Sequence, residues 1–168
     1  IVDGCLVYTN PGTNQWGATS VNLVTSPALS FGTKFTAPDN VQTIKVVNRD
    51  CYVIGEKTTE VWLDAGLFPF PFQIIAGTSM QHGTGAPDSI ARLGEGFGML
   101  AQDTRGDSTV IVVSGYKPTR ISTFAVEDAI NSYAVISDAI GLTHQWAGHE
   151  FYMLTFPTAD VTWVFDLA

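Results

Sequence analysis

Apolar positions in this chain come as short consecutive runs, each followed by a polar turn. Four runs share a form: Gly4-Cys5-Leu6-Val7-Tyr8, Asp50-Cys51-Tyr52-Val53-Ile54, Gly96-Phe97-Gly98-Met99-Leu100 and Glu150-Phe151-Tyr152-Met153-Leu154. A threonine follows each in the turn (Thr13, Thr58, Thr104, Thr158), and after three of those turns comes a tryptophan, Trp16, Trp62 and Trp163. A strand with one face in solvent alternates apolar and polar residues, whereas consecutive apolar positions predict burial on both faces. Aligned on Cys5, Cys51, Phe97 and Phe151, the copies advance by 46, 46 and 54 residues. Antiparallel hairpins repeating every 40–50 residues, each sandwiched between neighbours, predict the blades of a β-propeller. Trp16, Trp62 and Trp163, with Thr58 and Thr158, are its repeat markers and are expected at equivalent positions in their blades.

Read in order, a first hairpin turns at Asn10-Pro11-Gly12, and a weaker pair, Val21–Val24 and Ala28–Phe31, follows it. Strands are predicted at Val41–Val47, Cys51–Glu56 and Thr59–Asp64, with a fourth at Gln73-Ile74-Ile75. The Phe/Pro alternation before that fourth strand reads as a rigid segment laying its rings on a blade edge. The next meander is Ser89–Leu93, Phe97–Gln102, Ser108–Ser114 and Pro118–Ser122. A short helix from Phe124 to Tyr133, capped by Ser122-Thr123, accounts for the longer last step. Ile140–Trp146, Glu150–Phe156 and Val161–Asp166 close the series, with a hairpin tip at Ala147-Gly148. The expected class is all-β and propeller-like, about three and a half four-stranded antiparallel blades with one helical insertion. Blade units fall near 1–40, 41–88, 89–139 and 140–168 of a single domain.

Composition narrows the function. The 168 residues are 45% hydrophobic and only 14% charged, enough for a sizeable core. Sixteen acidic against eight basic residues leave a net charge of −8, and the basic ones are scattered. Nucleic-acid binding needs a basic footprint, and none is visible. Cys5 and Cys51 occupy matching places in two runs and read as buried thiols rather than a disulfide framework. No stretch has the length and hydropathy of a signal peptide or membrane span. Starting at Ile1 rather than methionine, the chain reads as a piece of a longer one, a partial propeller.

No catalytic constellation stands out. His144 and His149 are predicted to share one face of the last hairpin among aromatic residues, short of the ligands a metal needs. Gly94-Glu95-Gly96-Phe97-Gly98 precedes a strand rather than a helix, so it reads as a tight turn and a close backbone approach, not a phosphate cradle. Many acidic residues sit in turns, where Asp is favoured for geometry alone. Catalytic, cofactor and metal sites are therefore all expected to be absent. The alternative reading is a propeller that binds glycans or hydrolyses them with paired carboxylates.

Several longer stretches carry a resemblance: Asn10-Pro11-Gly12-Thr13-Asn14-Gln15-Trp16, the run from Ile54 to Trp62, Phe70-Pro71-Phe72-Gln73, the run from Gly115 to Thr123, and Gly148 through Tyr152 and Phe156-Pro157-Thr158-Ala159-Asp160 to Trp163. In these the chain resembles the packaged-DNA stabilisation proteins, the tail hub or nozzle, of short-tailed bacteriophages, whose members are considerably longer. The resemblance implies a non-enzymatic virion protein, assembled in the bacterial host cytoplasm as a ring-shaped homo-oligomer. It would extend and close the portal channel and retain packaged DNA. Implied partners are other tail and portal or adaptor proteins, with no membrane and no sequence-specific nucleic-acid contact. Lys117 and Arg120, inside one of the matching stretches, are the possible interface residues.

Overall fold

A computed structural model describes residues 1–167 as two compact units divided at Gly83/Thr84. The first unit holds sheet I, made of β1 (Val7–Thr9), β2 (Gln15–Ala18) and β3 (Phe31–Thr33), and sheet II, made of β4 (Val41–Val47), β5 (Asp50–Gly55), β6 (Thr59–Asp64) and β7 (Phe72–Ile74). In the second unit, sheet III comprises β8 (Ala91–Leu93), β9 (Gly96–Gln102), β10 (Ser108–Ser114) and β11 (Lys117–Arg120), and sheet IV comprises β12 (Ile140–Trp146), β13 (His149–Phe156) and β14 (Val161–Asp166). The helix α1 (Phe124–Asn131) lies between them in sequence. All four sheets are antiparallel meanders of three, four, four and three strands.

The weaker strand pair at Val21–Val24 and Ala28–Phe31 does not form. Residues 21–24 make an exposed turn with Asn22 at φ 57°, and the strand begins only at Phe31. Pro27 and Asn22 favour turns over ladders, and no buried face holds the segment extended. Thr123 does occupy the N-cap of α1 but makes no side-chain cap.

Two-residue hairpins lead into the repeat's apolar run at Asn48-Arg49, Gly94-Glu95 and Ala147-Gly148, and a bridge between Val2 and Cys5 makes Asp3-Gly4 the matching tip in sheet I. Asp3, Gly4, Asn48, Arg49, Ala147 and Gly148 all have positive φ, the twist that suits a tight hairpin. Aligning these tips corrects the repeat. Phe151 corresponds to Gly98 rather than Phe97, and Cys5 to Asp50 rather than Cys51. A one-residue slip exchanges the two faces of a strand, so the correction decides which residues face which neighbour. Nor do the three tryptophans share a ladder position: Trp16 lies opposite Thr9, Trp62 opposite Cys51 and Trp163 opposite Leu154. All three do lie on the strand after the repeat's apolar run. The turns before those strands differ in length, so equal sequence spacing lands on different rungs.

Each unit stacks one sheet on another. In the first, Cys5, Trp16 and Ala18 pack against Cys51, Val53, Trp62 and Phe72. Trp16 meets Trp62 edge-on at 5.5 Å and Phe70 at 4.9 Å between ring centroids. Gly32 leaves the room for Phe70, since a Cβ there would lie 2.6 Å from its ring. The Phe/Pro segment thus lays Phe70 and Phe72 on the core, while Phe68 is exposed. In the second unit, Tyr152, Leu154 and Phe156 of sheet IV face Ala91, Leu93 and Leu100 of sheet III. The Tyr152 hydroxyl donates to the Ser89 carbonyl at 2.7 Å. Its ring fills the space over Gly98, where a Cβ would come within 2.9 Å, and Gly141 runs against the Ser89 backbone.

Candidate functional site

The polar groups that matter most are buried, and they fasten turns to strands. Lys34 has no exposed side-chain surface and is ion-paired to Asp39. Asp39 also accepts hydrogen bonds from the Lys57 and Thr58 amides at 2.8 and 3.0 Å and from the Thr58 hydroxyl at 3.0 Å. Burial by itself would raise the Asp39 pKa, but the Lys34 hydrogen bond and those two amides outweigh it and hold the carboxyl below its ordinary value. Glu60, wholly buried, accepts from the amides of Phe35 and Thr36 and from the Trp62 indole.

Asp138 repeats the Asp39 arrangement in the second unit. Each aspartate sits two residues before the first strand of its sheet, and Asp138 accepts the Thr158 amide at 2.8 Å. Hydrogen bonds from Thr158 hold its carboxyl below the usual range. At the same offset in sheet III stands Ser89, whose hydroxyl accepts the Leu100 amide at 3.1 Å. Thr58 and Thr158 are therefore turn residues clasped by the preceding segment. Sequence reasoning singled out the threonines and missed Asp39, Asp138, Lys34 and Glu60. A signal existed, since Asp39 precedes Thr58 by nineteen residues and Asp138 precedes Thr158 by twenty.

Lys117 and Arg120 have separate fates. Lys117 opens β11 and is exposed. Arg120 is turned back onto α1, where it donates to Glu127 through Nε at 2.6 Å and Nη2 at 2.5 Å, and its guanidinium lies 4.0 Å from the Phe124 ring centroid. Glu127 also accepts from the hydroxyls of Thr109 at 2.7 Å and Ser122 at 2.5 Å. Burial raises the Glu127 pKa, and the bonds from Ser122, Thr109 and Arg120 more than reverse that. Arg120 and Glu127 together pin the helix to sheet III.

His144 and His149 do share the outer face of sheet IV, through the pairs His144–Phe151 and Trp146–His149. His149 stacks on Phe151 and bonds the Asp166 carboxylate at 2.8 Å. No group of three or more metal-ligating side chains occurs among the described residues. A depression of about 430 Å³ beside Leu100, Gln102 and Tyr133 is lined by no carboxylate, histidine or cysteine. Cys5 and Cys51 are free buried thiols, and burial pushes Cys51 up to about 12. Gly94 turns with φ 45°, and a Cβ at Gly96 would meet the Val113 carbonyl at 1.9 Å. The glycine-rich stretch is thus a turn and a close strand approach. No described helix is long and apolar enough to cross a membrane.

The arrangement is built to stack sheets and lock their turns. No curated protein matches the chain. A family of phage stabilisation proteins, described as "Bacteriophage P22 Gp10, beta-propeller", matches residues 2–168. The match spans all four sheets, and their antiparallel meanders are the elements of the architecture that the description names. The chain belongs to this phage stabilisation family.

Proposed function

We propose that this protein is a structural component of a podophage tail, a hub or nozzle at the portal vertex that extends the channel and keeps the packaged genome inside. The observation that carries the reading is the family match over residues 2–168. The four sheets act as consecutive blades of one propeller domain, and copies assemble as a ring that contacts portal or adaptor and other tail proteins. Retention is steric. With sixteen acidic and eight basic residues, the chain repels DNA at long range, and a channel wall of this kind lets DNA slide without gripping it.

The glycosidase alternative gains no support from the site. General acids need a raised carboxyl pKa, and hydrogen bonds hold Asp39, Asp103, Glu127 and Asp138 down, which takes those four out of that role. The test is made on phage particles. Mass spectrometry of gradient-purified virions should find the protein, and particles assembled without it should package DNA and then lose it. Normal, DNA-retaining virions that lack the protein would overturn the reading.

A further inference from the structure

We draw no further inference here: the strongest candidate, the apolar loop Leu67-Phe68-Pro69 between β6 and β7, on which Phe68 is 96% exposed, carries nothing because nothing in the structure shows what covers it.

Discussion

Lys34 is a cation without exposed surface, and Asp39 is what makes that burial tolerable. Removing one partner of a buried pair strands the other, at a cost of about 3–5 kcal/mol. Lys34→Met is expected to lower stability by about 3 kcal/mol in urea denaturation, and an unmoved midpoint would refute the role assigned to the pair. The acid limb follows from the direction of the Asp39 shift. Its folded-state pKa lies below the unfolded value, so its contribution is complete above about pH 4 and is lost as pH falls through the depressed value. Asp39→Asn should therefore be less stable at neutral pH and show a flatter decline on acidification. At the cysteines, Cys51 is held as the neutral thiol by burial. Ellman's reagent should label neither cysteine rapidly in the native protein and both at once in denaturant. Fast native labelling would show that the contact between sheets I and II opens.

At the level of elements, α1 is tied to sheet III through Glu127 and through Asn131, which accepts the Ser108 amide at 3.2 Å, and the two sides of the Glu127–Arg120 pair are unequal. Glu127 accepts from Ser122, Thr109 and Arg120, whereas Arg120 is partly exposed, bonds Glu127 and lies over the Phe124 ring. Solvent screens the Arg120 side of the pair. Glu127→Ala should therefore cost about 2 kcal/mol, with loss of helical signal, while Arg120→Ala should cost about 1 kcal/mol or less. Equal losses in thermal melts would mean the ion pair, rather than the hydroxyl network, holds the helix. Strand positions were largely legible at this scale. Sheets II to IV lie where consecutive apolar runs and turn residues put them, because apolar runs and hairpin chemistry are local signals. The burial on both faces that such runs predict holds for β5 and β9 only; along β13 burial alternates, and in β1 Tyr8 is exposed. The pair at Val21–Val24 and Ala28–Phe31 was misread, because β-branched residues there have no buried face to hold them extended.

For the whole molecule, charge is the testable property. Of the two basic residues singled out in β11, both exposed, Arg120 is ion-paired to Glu127. Binding of duplex DNA needs several such contacts, each adding to a steep salt dependence. Anisotropy titration against duplex DNA at low salt is expected to show no micromolar binding. Saturable binding that weakens steeply with added salt would replace steric retention by direct clamping.

Fold class, repeat and family were within reach of the sequence, because they rest on residue order: apolar runs, turn residues at fixed distances, and long matching stretches. Facing relationships depend on parity along a strand, which a one-residue change in a turn reverses. Only the paired hairpin tips decided that Phe151 belongs with Gly98 and Cys5 with Asp50. The clasps were hidden for a related reason. Nothing in the sequence sets Lys34, Asp39 and Glu60 apart from the other charges, and it is folding that buries them against Thr58, Phe35 and Trp62 and turns them into structural bonds.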